Sequence, residues 1–381
     1  MNTATVVVRL PVDPAEPHHP SATPIYQTAT FKGEKLDDLA QFNYSRSANP
    51  TRTLLERHLA TLEGGGHALA CASGITAITL ATRLLRPGDE ILTHRDLYGG
   101  AYRLFAQVCT PRGLPWRWAD LRDPAQAAAA ITPRTKMVFV ESLSNPRLEV
   151  VDIQALARLA RERGALLVLD ATALPPTIHR GLDLGADIVI HSATKYLGGH
   201  SDLTAGVLVT RRADLAAELA RLQNAEGVAL APQDTFLLLR GLKTLKVRLD
   251  QQQHNAQAVA QHLARHPGVT RVHFPGLPTD PGHALHQRQA TGTGSLLSIR
   301  LGTPQRARAL VESLELFPIT YSFGSVTSAC SWPAKMSHAP LTSEVRAATE
   351  FPEDLVRLAI GLEDPADLIA DLDNALSRLD A

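Results

Sequence analysis

Cysteine is scarce in this sequence. The 381 residues include three, Cys71, Cys109 and Cys330, too few and too scattered for a disulfide framework or a zinc site, and suited to a reducing compartment. An excess of either charge is also missing, since 38 Lys and Arg offset 38 Asp and Glu. With no basic excess, the composition offers no signal for nucleic acid or an anionic membrane. Long apolar runs are absent too. The opening MNTATVVVRLPVDP has a short one, broken by Arg9 and Pro11, and reads as neither signal peptide nor membrane span. There is no internal repeat and no low-complexity tract. Histidine is present, but His18–His19 sits in a proline-rich stretch and His283 with His286 in a polar one. Neither pair has a cysteine or carboxylate at ligand spacing, so no metal site is expected. The expectation is a soluble cytoplasmic protein of ordinary globular balance, 44% hydrophobic and 20% charged.

The length suits a large domain plus a smaller one. Residues 1–45, rich in Pro, Thr and Ser with no helical period, read as an extended arm that lies across a partner subunit. From residue 46 to 235 short apolar runs alternate with helical patterns. NPTRTLLERHLATLEGG predicts a helix capped by Asn49 with Pro50 in its first turn. HALACAS, EILTH, TKMVFVES, ALLVLD, DIVIHS and AGVLVT predict strands. Strands that are apolar almost throughout, separated by helices, argue for an α/β domain with a mostly parallel sheet covered on both faces. From 236 to 381 a long helical stretch precedes VTRVHF, SLLSIRL, FPITYSF and DLVRLAIGL, read as strands of a smaller α+β domain.

Parallel sheets bind ligands at the carboxyl ends of their strands, so the polar residues there carry the interest. Asp170 closes ALLVLD, where a carboxylate is costly unless paired; alone, it reads as a helix cap or a loop ion pair. Lys195 follows the strand DIVIHS, flanked by Ser192 and Thr194. Gly198, Gly199 and Gly206 allow close backbone approach to a ligand. A lysine in a partly dry site has a lowered pKa and a neutral amine able to act as nucleophile or base. In ASGITAI, Ser73-Gly74-Ile75 joins a strand to a helix whose first N–H groups form an anion site. Each signal alone is weak. Together they suggest pyridoxal phosphate, with its phosphate on Gly74 and Ile75, Asp170 on the pyridinium N–H and Lys195 on the aldehyde.

With YSRSANPT, LEGG, ASG, DLYGG, SNP, GADIVIHSATKYLGGHSD and RGLKTL in order and spacing, the sequence resembles the Cys/Met metabolism family of pyridoxal phosphate enzymes. The resemblance runs from SATPIYQTATF to GLEDPADLIADLDNAL. It implies fold type I, the aspartate aminotransferase-like fold, and it implies roles by position. Lys195 is the cofactor lysine and proton shuttle, and Asp170 keeps the ring an electron sink. Tyr98 stacks on the ring and serves as a base; without the resemblance it would read as a packing residue. Ser192 and Thr194 join Gly74 and Ile75 at the phosphate. Asn145, otherwise a turn residue before Pro146, lies near the ring oxygen or the substrate carboxylate. Arg357 clamps that carboxylate with Ser322 nearby, and Arg103 contacts the distal part of the substrate. Tyr44 and Arg46 match residues that reach the phosphate of a neighbouring subunit, which implies an obligate homo-oligomer, a tetramer of such dimers.

The resemblance implies a transsulfuration enzyme acting at Cγ of homoserine esters or of cystathionine. The expected activity is γ-replacement with cysteine, as in cystathionine γ-synthases. Cystathionine γ-lyase, methionine γ-lyase and homoserine-ester sulfhydrylase are the alternatives, and a catalytically silent regulator is the alternative of another class. Three departures stand out. Ala171 replaces an asparagine after Asp170, and Gly100 stands where methionine γ-lyases have cysteine. Thr327 is read as occupying the place of a glutamate that faces the distal amino group of the substrate in many cystathionine enzymes.

Overall fold

The computed structural model describes residues 2–9, 16, 18–33 and 42–379. A seven-stranded sheet forms its larger layer. Its strands in chain order are β1 (His67–Cys71), β2 (Glu90–His94), β3 (Trp116–Ala119), β4 (Thr135–Glu141), β5 (Leu166–Asp170), β6 (Ile188–Ser192) and β7 (Gly206–Thr210). The spatial order is β1-β7-β6-β5-β4-β2-β3. Neighbours from β6 to β3 are parallel, while β7 runs antiparallel to both β6 and β1. Burial on both faces explains the unbroken apolar runs. Along β5, Leu167 and Leu169 join the core on one face and Val168 joins the core on the other.

Local chemistry sets the helix ends as the sequence suggests. The Asn49 side chain accepts from the Thr51 N–H, Pro50 fills the first position, and Gly64 closes the helix Pro50–Glu63 at φ 67°. A second sheet contains β8 (Arg271–His273), β9 (Leu296–Arg300), β10 (Ala329–Ser331) and β11 (Leu355–Ala359), all antiparallel in the order β10-β11-β9-β8. It packs with the helices Leu245–Leu263 and Pro365–Ser377 around a third core. The helix Pro232–Leu242 spans the expected boundary at 235/236.

Three segments depart from expectation. The start of the chain is not wholly extended: Thr3–Val8 is helical, capped by the Asn2 side chain, with Val7 buried against the main core. The long helical stretch near 235–263 is two helices, divided at 243–244. Gly241 there lies against the Gly198 carbonyl, where a Cβ would come within 2.3 Å. FPITYSF is not a strand; its one ladder contact is the bridge Ile319↔Cys330, and residues 321–323 turn toward the ends of the large sheet.

Candidate active site

The carboxyl ends of β4, β5 and β6 carry Glu141, Asp170 and Ser192, with Glu141 and Asp170 paired in register. They open onto a cavity of about 230 Å³. Ser73, Gly74, Ile75, Tyr98, Asn145, Asp170, Ser192, Thr194, Lys195 and Arg357 line it together, and Ser322 reaches Lys195, so most of the expected residues converge.

One end of the cavity is built from backbone. Ser73 caps the helix Gly74–Thr82, its side chain accepting from the Thr76 N–H. The N–H groups of Gly74 and Ile75 stand ahead of the first intrahelical bond, Ala77 N–H to Ser73 O at 3.1 Å, and face an anion site of the usual helix type. A Cβ on Gly74 would meet the Ser192 side chain at 2.6 Å, so glycine brings this turn against the end of β6. Thr194 lines the same end, while its hydroxyl exchanges hydrogen bonds with the backbone of Ala205 at 3.0 and 3.3 Å.

Lys195 follows β6 by a short turn. Its Nζ donates to Ser322 Oγ at 2.9 Å and lies 5.3 Å from the centre of the Phe323 ring. Burial, with the Arg357 charge adding to it, brings its amine down from 10.5 to about 8. Asp170 is buried, which raises its carboxyl above the usual range, opposed by hydrogen bonds from Thr172; the Thr172 N–H donates to Oδ1 at 2.9 Å. Ala171, the departure beside it, leaves this bond intact. Tyr98 precedes the helix Gly99–Arg103, and burial raises its phenol. A Cβ on Gly100 would sit 2.4 Å from the Tyr98 ring, so this ring position requires glycine at 100.

Arg357 comes from β11 and crosses to the large sheet. It donates from one terminal nitrogen to Asn145 Oδ1 at 3.1 Å and from the other to the Ser322 carbonyl at 3.2 Å. Burial lowers its pKa to about 10. Its Nε is buried with no protein acceptor, a donor that a ligand carboxylate would satisfy.

Besides Ser322, which reaches Lys195 from outside the lining, four expected residues do not line the cavity. Arg103 is exposed and absent from the lining, although its charge acts on the Tyr98 phenol against the effect of burial. Thr327 is likewise exposed and absent from the lining. The residues of this loop that do line the cavity are Phe323 and Tyr321, the latter at its open side and 67% exposed. Tyr44 is 41% exposed, with the Arg46 guanidinium 5.2 Å above its ring; this pair also stands outside the cavity.

Besides Tyr321 and Phe323, the sequence reading missed Glu141. Its position at the end of an apolar strand, as with Asp170, was the available signal. Burial and the neighbouring Asp170 hold its carboxyl well above the ordinary range.

Phosphate-type donors at one end, a carboxylate at the sheet edge and a desolvated lysine between them fit a phosphorylated aromatic aldehyde. The profile described as "Cys/Met metabolism PLP-dependent enzyme" matches residues 4–377.

The chain belongs to that family.

Pyridoxal phosphate is therefore the cofactor, the fold is the family's, and the protein is a transsulfuration enzyme acting on small amino-acid substrates. The chain is 45% identical over 360 residues to the chloroplastic cystathionine beta-lyase of Arabidopsis thaliana, covering 94% of this chain and 78% of that protein. Two solved structures align along its whole length. Cystathionine gamma synthase from Xanthomonas oryzae pv. oryzae has a TM-score of 0.96 at 41% identity, with 100% of this chain and 99% of that one covered. Cystathionine gamma-lyase from Lactobacillus plantarum has a TM-score of 0.95 at 38% identity, with 100% of both chains covered. These relatives differ in the bond they act on. Among the described residues no helix is long and apolar enough to cross a membrane, and no cluster of three His, Cys, Asp or Glu could hold a metal ion.

Proposed function

We propose that the enzyme cleaves cystathionine at the Cβ–S bond, and that one water is consumed as the products homocysteine, pyruvate and ammonia form. The observation that carries this is the neutrality of the cavity's remaining wall. Its charged lining is Glu141, Asp170, Lys195 and Arg357, and each has a partner or a task near the cofactor. Tyr321, Phe323 and Leu148 are left for the far half of a substrate. A thioether whose distal ammonium and carboxylate stay in water beside the exposed Tyr321 suits that wall better than a succinyl ester, whose lone terminal carboxylate would ask for a cation. The 45% identity to the plant beta-lyase supports the same choice.

When bound, pyridoxal phosphate draws electron density from Cα of the substrate. Gly74, Ile75, Ser192 and Thr194 hold its phosphate, Asp170 holds the ring nitrogen, and Tyr98 covers the ring. Arg357, oriented by Asn145 and the Ser322 carbonyl, takes the substrate carboxylate through its free Nε. Lys195, steadied by Ser322 at 2.9 Å, would take the Cα proton. Tyr98, which lines the same cavity, provides the second acid–base group for the departing sulfur. Tyr44 and Arg46 serve the phosphate end of a second copy's cavity, so the working protein is an oligomer, at least a dimer. In support, Arg52 donates to the carbonyls of Ser45 at 2.8 Å and Arg46 at 3.2 Å, which fixes this exposed turn. Three buried free cysteines suit a reducing compartment such as the cytoplasm.

The second reading is γ-replacement, the activity expected from the sequence and favoured by the 0.96 TM-score to a gamma synthase. One assay separates them. Cystathionine is supplied alone, and homoserine esters are supplied with cysteine, while pyruvate, 2-oxobutyrate and cystathionine are followed together. Pyruvate with homocysteine supports Cβ cleavage. Dominant 2-oxobutyrate, or cystathionine made faster than it is consumed, overturns it.

A further inference from the structure

Glu141 has no part in the chemistry above, yet it is the most unusual buried group in the site. It ends β4 beside Asp170, which ends β5 in register. Paired residues on neighbouring parallel strands project to the same face, with the strands about 4.8 Å apart. Both carboxyl groups are buried and line the same cavity. Burying a second carboxyl beside one that must face the cofactor is costly. A hydroxyl or an amide would have satisfied one buried donor at lower cost.

The hydrogen bonds explain why a carboxyl stands here. Oε1 accepts from the Tyr98 N–H at 2.9 Å, and Oε2 accepts from the Asn145 N–H at 3.0 Å. Those donors belong to separate loops, one following β2 and the other following β4. A single planar group with two acceptor atoms ties them together, which neither Ser nor Gln can do. Both loops lead into the site: one presents the Tyr98 ring, and the other presents Asn145, whose Oδ1 holds Arg357 at 3.1 Å. His338 braces the same two loops from outside, its Nε2 lying 3.0 Å from the Leu97 carbonyl and 3.1 Å from that of Asn145.

We propose that Glu141 is a positioning residue that sets the spacing between the ring-covering Tyr98 and the Asn145–Arg357 carboxylate clamp. It acts through those residues and touches neither reacting carbon. The proposal rests on the cofactor occupying this cavity and not on which substrate bond is broken.

Glu141→Gln tests it. The amide oxygen can accept from one of the two N–H groups, and the amide nitrogen then faces the other. In the cofactor-loaded protein we expect the Kd for pyridoxal phosphate to rise about tenfold, the scale of one lost buried hydrogen bond. We also expect the circular dichroism band of the bound cofactor to change in position or sign as the Tyr98 ring shifts. A role in folding alone would lower Tm and leave that band unmoved. Glu141→Asp keeps the carboxyl group but is too short for both donors. It should reproduce both effects, and it decides the question if the Gln variant does not fold. A folded variant with the parental cofactor affinity and dichroism band would overturn the proposal, whatever its Tm. A parent protein with no cofactor band would overturn the site reading, and the proposal with it.

Discussion

The Lys195 amine offers a quantitative test, because burial and the nearby Arg357 charge bring it from 10.5 to about 8. At pH 8 about half of such amines are neutral, against roughly 0.3% for an ordinary lysine, a gain of about 150-fold in nucleophile. The perturbation is pH, applied to cofactor-free protein. The assay is competitive labelling with trace acetic anhydride between about pH 6 and 11, with each lysine located by peptide mass spectrometry. The chain has seven lysines, so six serve as internal references. Neutral amine accumulates as pH rises, so Lys195 labelling should climb through pH 8 and level off while the others keep rising. Pyridoxal phosphate should protect Lys195 alone. The same shift has a stability consequence. Between pH 8 and 10.5 the unfolded chain holds the proton that the folded one has lost, so stability of the cofactor-free protein rises with pH across that window. The full rise is about 3 kcal/mol. Lys195 labelling that keeps climbing beyond pH 10 would refute the reasoning.

Other consequences follow from the same geometry. Arg357→Lys should raise KM for the amino-acid substrate by about 10- to 100-fold, since an ammonium cannot hold Asn145, the Ser322 carbonyl and a carboxylate in one plane; steady-state kinetics at saturating cofactor will show it. Tyr321→Ala should raise KM for cystathionine about tenfold through lost apolar contact, whereas Thr327→Glu, outside the cavity, should leave cystathionine kinetics unchanged. An improved kcat/KM in the Thr327 variant would reinstate that residue in the distal wall. Behind the cavity wall, burial alone would raise the Glu149 carboxyl, but its His94 hydrogen bond and the Arg122 and Arg147 guanidinium groups bring it down to about 2. Its contribution is therefore complete above the ordinary carboxylate range and lost as pH falls through 2. Glu149→Gln should cost about 3 kcal/mol at neutral pH, an order-of-magnitude figure readable by urea unfolding, and the difference from the parent should shrink in acid.

The cofactor end of the site was legible in the sequence for a physical reason. A polar residue that closes an apolar run must lie where a buried strand meets solvent or ligand, and Asp170, Ser192 and Lys195 all stand at such exits. The Ser73-Gly74 turn carried its own backbone geometry in the same way. Glu141 obeyed the same rule, but a glutamate before Ser142 reads equally well as a surface carboxylate until the loops above it are placed. The substrate end was less legible. FPITYSF has the two-residue alternation of a strand, yet its pairing reduces to one bridge, and the inward face of such a loop depends on tertiary contacts. Thr327 was named from the resemblance, and nothing in the residues alone singled out Tyr321 or Phe323. Arg103 depended on the direction of one short helix, which spacing does not reveal. The helix Thr3–Val8 was obscured because Val6, Val7 and Val8 favour extended backbone; burial of Val7 and the Asn2 cap reverse that preference.

The most direct measurement is the position of the cofactor's covalent attachment. Cofactor-loaded protein is reduced with borohydride and digested, and the pyridoxyl group is located by mass spectrometry. Attachment at Lys195 and at no other lysine, lost in Lys195→Ala together with cystathionine cleavage, is the expected result. A pyridoxyl group on another lysine, or cleavage that survives unchanged in Lys195→Ala, would contradict it.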